Sequence, residues 1–116
     1  MKENKNYIST PRRNIGLANE LDLGKLPPQA LDLEESVLGA LMLEKDALTE
    51  VIDILKPDNF YKDANKEIYN AIIDLFNNSE PVDLLTVTNQ LKKNGKLDFV
   101  GGAYYVTQLT TRVNSA

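Results

Sequence analysis

From Asp32 onward the apolar residues recur at helical spacing, and before that they show no sustained periodicity. Asp32, with Glu35 three residues later, reads as a capping box that opens a helix carrying Leu33, Val37, Leu38, Leu41 and Met42 on one face. Gly39 lies inside that helix, which favours close approach by another backbone. Asp46 can cap a second helix with Leu48, Val51, Ile52 and Leu55 at i, i+3, i+4 and i+7, and Lys56-Pro57 ends it, because proline disfavours helical geometry in the preceding residue. The segment PDNFY (57–61) reads as a turn or short helix, with Phe60 and Tyr61 as core plugs. Asp63 starts what should be the longest helix, with Ile68, Tyr69, Ile72, Ile73 and Phe76 inward, and Asn77-Asn78-Ser79 stops it.

Pro81-Val82-Asp83 is an extended entry and cap, followed by Leu84, Val87, Thr88 and Leu91. Asn94-Gly95 closes that helix, both residues tolerating the left-handed conformation of a C-terminal cap. Gly101-Gly102 then enters a last helix in which Tyr105, Val106, Leu109 and Val113 form the stripe. The pattern contains no strand and no internal repeat. It predicts an all-α fold, a compact bundle of five main helices plus a short one, joined by loops short enough for antiparallel packing.

Composition adds constraints. At 116 residues, 42% hydrophobic and 26% charged, the chain suits one globular domain with a real core. It has no cysteine and no histidine, which removes thiol catalysis, histidine proton shuttling and most zinc sites. No apolar run approaches membrane-spanning length, and the N-terminus lacks the apolar middle of a secretory signal, so a cytoplasmic location is expected. Residues 1–30, rich in Asn, Lys, Gly and Pro, carry five Lys or Arg against three acids. Residues 31–116 carry eight against fourteen. Residues 1–25 therefore read as a flexible, weakly basic tail, with a segment that folds on a partner as the other reading, and 26–116 as the folded domain. An acidic domain is poorly suited to gripping nucleic acid by itself.

No catalytic constellation emerges. Gly101-Gly102 lacks the spacing, the lysine and the strand-to-helix context of a phosphate loop. The pairs Glu34-Glu35 and Asp58 with Asp63 sit where acids complement helix N-termini. Ser36 and Ser79 have no histidine base, and no acid pattern resembles a calcium loop. The best candidate for a DNA-reading helix, LLTVTNQLKKNG, offers Asn89, Gln90, Lys92 and Lys93, but its lysines bunch at the C-terminal end, where they suit the dipole. Tyr104, one step off the Tyr105 stripe, is the candidate interface aromatic, with Val113 as a second apolar contact near the C-terminus.

Three stretches taken together, LPPQALDLEESVLGALML, ILKPDNFYKDANKEIYNAIIDL and PVDLLTVTNQLKKNGKLDFVGGAYYVTQL, resemble the N-terminal domain of the DnaB-type bacterial replicative DNA helicases. The resemblance rests on Glu35 with Leu38 and Gly39, Pro57 with Phe60 and Tyr61, and Ile68 with Ala71 and Ile72. It continues through Pro81, Val82, Asp83, Thr86, Val87, Leu91 and Gly95 to Gly101, Gly102, Tyr105 and Leu109, in order over 26–113. It implies a globular domain of about six helices that forms a collar on a hexameric ring, commonly a trimer of dimers. It also implies docking of the DnaG-type primase and engagement of a helicase loader. ATP, Mg2+ and DNA would belong to a motor elsewhere in the parent polypeptide, leaving this chain non-enzymatic and without a cofactor. In the family a helical hairpin used in dimerisation follows, so 26–116 is expected to stop before the hairpin is complete. Asn65 stands where the family often has histidine, and its place in a first helical turn suggests local hydrogen bonding. The reading from another class is a stand-alone helical DNA-binding regulator.

Overall fold

The computed structural model describes the backbone of residues 28–114 and the side chains of residues 30–112. The expected tail at 1–25 and the side chain of Val113 lie outside the described residues. Six α-helices follow one another: α1 (Pro28–Leu43), α2 (Ala47–Val51), α3 (Asp63–Asn77), α4 (Leu84–Lys93), α5 (Leu97–Val100) and α6 (Gly102–Asn114). A single 3-10 turn, Pro57–Asn59, sits between α2 and α3. No strand occurs among the described residues, and no helix among them is long and apolar enough to cross a membrane. The all-α bundle expected from the hydrophobic pattern is what the chain forms. Leu31–Ala116 makes up one compact unit.

The core runs through every helix. Leu38 of α1, Ile68 and Ile72 of α3, Val87 and Leu91 of α4, and Val106 and Leu109 of α6 have no exposed surface. Leu48 of α2 and Val100 of α5 are buried with them. Burying a side chain of this size is worth roughly 1.5–3 kcal/mol, so this cluster outweighs any surface interaction. Tyr69 is also fully buried. Its ring lies 5.2 Å from that of Phe60, and its hydroxyl donates to the Leu55 carbonyl at 2.7 Å. Burial pushes its phenol above the ordinary value.

Several boundaries differ from the expectation. α1 begins at Pro28, so Asp32 lies inside the helix and makes no capping box with Glu35. Proline suits a first turn, where its missing N–H costs nothing and its fixed φ is already helical. With 16 residues against 15, α1 also displaces α3 as the longest helix. α2 ends at Val51 rather than Leu55, and Ile52 to Leu55 continue as turns closed by Ile54 N–H to Val51 O at 3.0 Å and Leu55 N–H to the same oxygen at 2.8 Å. Asp46 flanks α2 without a side-chain cap. Instead its carbonyl accepts from the Thr49 hydroxyl at 2.8 Å.

Tyr61 is no core plug: it is 47% exposed, while Phe60 is buried. Phe60 is extended, with φ −87° and ψ 137°, and successive side chains of an extended chain point to opposite sides. Phe76, expected inward, is 38% exposed at the end of α3. It lines an open groove of about 570 Å³ with Leu43, Val82 and residues of α2. Helix α5 has no counterpart in the sequence reading, because four residues are too few to show a period.

The helix ends are built as their residues demand. Asp83 caps α4: its carboxylate accepts from Thr86 N–H at 2.9 Å, while the Thr86 hydroxyl accepts from Asp83 N–H at 2.9 Å. At the other end, Lys96 N–H reaches Leu91 O and Gly95 N–H reaches Lys92 O, with Gly95 at φ +71°. That is a Schellman cap. α3 ends in the same motif, Glu80 N–H to Leu75 O and Ser79 N–H to Phe76 O, but there the left-handed position is held by Ser79 at φ +57°.

Candidate interaction site

At the N-terminus of α3 the flanking residue Lys62 supplies no side-chain cap. An acid from another helix fills the gap. Glu34, on α1, accepts from the N–H of Tyr61 through one carboxylate oxygen. Its other oxygen receives the Nδ2 of Asn65 at 2.9 Å and, more weakly, Lys62 N–H at 3.4 Å. A carboxylate at this place satisfies orphan donors and the helix dipole together.

Asn65 carries the connection further. It is fully buried, and its Oδ1 accepts from the Tyr105 hydroxyl of α6 at 2.7 Å. The same hydroxyl lies 3.3 Å from Glu35 Oε2. Burial, and then the neighbouring Glu35 charge, push the Tyr105 phenol well above its ordinary range. The Lys62 ammonium sits 4.4 Å above the Tyr105 ring centre, close enough for a cation–π contact. Two turns further along α6, Arg112 closes the network. Its Nε donates to Glu35 at 2.6 Å and its Nη2 to Asp32 at 2.7 Å. Glu35 is the main cause of the raised Arg112 pKa.

α1, the start of α3 and α6 are therefore stapled by one polar network of Glu34, Glu35, Asn65, Tyr105, Arg112 and Asp32. Charge-assisted bonds of this kind fix geometry more strongly than neutral ones. It holds no nucleophile with a base, and among the described residues no group of three His, Cys, Asp or Glu side chains is placed to hold a metal ion. What it can do is orient helices.

The residues singled out from the sequence divide between core, turns and this network. Leu38, Phe60, Ile68, Ile72, Leu91 and Leu109 are in the core, and Gly39 is buried within α1. Pro57 opens the 3-10 turn, Pro81 lies in the exposed approach to α4, and Asp83 is its cap. Gly101 (φ +111°) ends α5 and Gly102 (φ +76°) begins α6, so the pair joins two helices rather than only opening one. Glu35 and Tyr105 join the network. Tyr104 is 75% exposed and borders a shallow depression of about 480 Å³ with Glu35 and Arg112.

Sequence reasoning missed the roles of Glu34, Lys62 and Arg112 and misread that of Asn65. The reading of Asn65 as a locally bonded residue is corrected, since its partners lie 31 and 40 residues away. A signal was available: Asn65 precedes Ile68, Tyr69 and Ile72 by three, four and seven positions, which puts an amide on the apolar face. A buried amide there needs partners.

Comparison with known proteins places this architecture. The family model of the DnaB-like helicase N-terminal domain matches residues 26–116. The chain belongs to this family. Among curated relatives, the replicative DNA helicase DnaB of Rhodothermus marinus is 45% identical over 93 residues, covering 80% of this chain but 10% of that protein. DnaB of Mycobacterium leprae is 42% identical over 95 residues, covering 82% of this chain and 16% of the relative. The replicative DNA helicase DnaC of Bacillus subtilis is 44% identical over 92 residues, covering 79% and 20%. This DnaB-like domain thus spans a small fraction of the relatives it matches. Its fold is similar to the crystal structure of the N-terminal domain of DnaB helicase from Mycobacterium tuberculosis, with TM-score 0.70 and 44% identity over 75% of this chain and 60% of that one.

Proposed function

We propose that this domain is the non-catalytic collar of its helicase, supporting hexamer assembly and docking a DnaG-type primase, with a helicase loader as a further partner. On this reading ATP and Mg2+ serve the motor of the parent polypeptide, DNA is gripped there rather than here, and the protein works in the cytoplasm. The observation that carries the proposal is an acidic helical bundle that nonetheless exposes large apolar side chains. Residues 31–116 carry fourteen acids against eight bases, while Tyr104, Leu85, Phe99 and Ile54 each expose more than half their surface. Acidity discourages competition with the motor for DNA, and exposed aromatic and aliphatic side chains serve as anchors for protein partners.

The test is deletion of residues 26–116 from the polypeptide that carries them. ATP hydrolysis should persist, while primase binding measured by calorimetry and hexamer formation measured by sedimentation should both weaken at least tenfold. Unchanged primase affinity and hexamer stability would refute the collar. Tight binding of duplex DNA by the 116-residue chain, falling steeply with salt, would favour a DNA-binding regulator instead.

A further inference from the structure

A cleft of about 380 Å³ is lined by α1 and by the chain from Val51 to Phe60. α1 contributes Leu33 and Val37, which lie four residues apart and so share a face. Val51, Ile54, Leu55 and Phe60 supply the rest of the apolar lining. Leu33 and Ile54 each leave more than half their surface exposed. The two polar residues of the lining are already engaged. The Glu34 carboxylate accepts from Tyr61 N–H and from Asn65, and Asn59 Oδ1 accepts from Lys56 N–H at 2.8 Å. Water in the cleft therefore finds few groups to bond, and replacing it with apolar side chains is favourable. The charge beside the cleft is predominantly acidic. Glu50, Asp53 and Asp58 immediately precede the lining residues Val51, Ile54 and Asn59, and all three are exposed. Among the described residues none of these carboxylates is held in an ion pair. Lys56 is the one base in the stretch 50–60.

We propose that this cleft docks a basic amphipathic helix of another protein. Such a helix lays apolar side chains spaced three and four residues apart into a groove, here against Leu33 and Ile54. Its flanking Lys or Arg side chains then meet Glu50, Asp53 and Asp58. The apolar contact supplies the affinity, while the carboxylates select the sign of the partner and speed encounter. A helix of the same apolar pattern but acidic flanks is rejected by like charge. For the same reason a second copy of this domain is a poor match, since residues 31–116 carry fourteen acids against eight bases. Binding sites run from about 300 to 1,000 Å³, so this cleft is at the small end, and a few anchoring side chains fill it. It shares no lining residue with the depression beside Tyr104, and the inference stands apart from the collar reading.

The test uses the 116-residue chain and a synthetic helix with Leu at i, i+3, i+4 and i+7 and Lys elsewhere, one Leu being replaced by Trp. The chain has no tryptophan, so the indole of the peptide alone reports burial, as a saturable blue shift of its fluorescence. Ile54→Asp separates the cleft from general attraction, because it adds an acid while removing an apolar side chain. It should weaken binding about tenfold, as expected for the loss of an anchor, with helicity unchanged by circular dichroism. Leu85→Asp makes the same change at an exposed position on α4 and should not weaken it. Asp53→Asn combined with Asp58→Asn should weaken binding at low salt and flatten its salt dependence. The peptide with Glu in place of Lys should give no shift. Absence of a saturable shift with the Lys peptide, equal binding of the Glu peptide, or undiminished binding by Ile54→Asp would overturn the inference. So would dimerisation of the chain alone that Ile54→Asp abolishes in sedimentation, because a second copy would then be the occupant of the cleft.

Discussion

The Tyr105 hydroxyl donates to the Asn65 side-chain oxygen at 2.7 Å, joining α6 to the first turn of α3 across 40 residues of sequence. Asn65 is wholly enclosed and also donates to Glu34. Neither end of this bond has a cheap substitute, because a buried polar group left unpaired keeps its desolvation penalty. Asn65→Leu should therefore destabilise the domain by about 2–3 kcal/mol, read as a lower urea midpoint with the slope unchanged. Tyr105→Phe should cost about 1–2 kcal/mol. The double variant should fall short of the sum by at least about 0.5 kcal/mol, as for residues in one network. Additive losses would show that the bond is incidental.

Raised phenol pKa values give a pH dependence with a definite sign. The folded state holds the Tyr105 proton more tightly than the unfolded chain does, whose tyrosines titrate near the ordinary value of 10.0. Its contribution is fully present below pH 10.0 and declines as pH rises above it, because the unfolded state then binds fewer protons than the native one. Stability should accordingly fall on the alkaline side, and less steeply in Tyr105→Phe. In an ultraviolet titration, Tyr69 and Tyr105 should ionise only above the ordinary value of 10.0. Ionisation of Tyr105 at the ordinary value of 10.0 would contradict the network.

Glu34 replaces the cap that Lys62 does not provide. Glu34→Ala should destabilise by about 1–2 kcal/mol, and amide exchange should accelerate first at Tyr61 and Lys62. Glu34→Gln keeps one acceptor oxygen and should lose less. Uniform exchange changes across the domain, with none concentrated at the start of α3, would argue against a capping role.

Two left-handed positions should respond oppositely to substitution. Ser79 occupies at φ +57° the place that Gly95 fills in the matching cap of α4. Ser79→Gly removes that strain, and a gain of about 0.5–1 kcal/mol is expected after the added chain entropy is offset. Gly101 is the reverse case. It sits at φ +111°, and a Cβ there would lie 3.0 Å from Tyr105 Cβ. Gly101→Ala should lower the melting temperature by several degrees, on the order of 1–2 kcal/mol. A neutral Gly101→Ala would mean that α5 and α6 can be rejoined freely.

What the sequence determined by itself was periodic or stereochemical. The faces of α1, α3, α4 and α6 were legible because burial selects apolar residues at the helical repeat, although Leu33, expected on the α1 face, is 65% exposed. The α4 boundaries were legible because Asp83 with Thr86 and Asn94 with Gly95 act within a few residues of themselves. The start of α1 was misread, since Asp32 and Glu35 have the spacing of a capping box but belong to a pair of carboxylates for Arg112, 80 and 77 residues away. The same limit applies to Glu34, Asn65 and Tyr105. Nothing local distinguishes a glutamate that caps a distant helix from one that faces water. Only when the apolar core brings α1, α3 and α6 together do these side chains meet. The hydrophobic pattern thus determined which helices form and which sides they bury, whereas the polar network that fixes their mutual orientation was decided by tertiary packing, because hydrogen bonds depend on distance in space rather than along the chain.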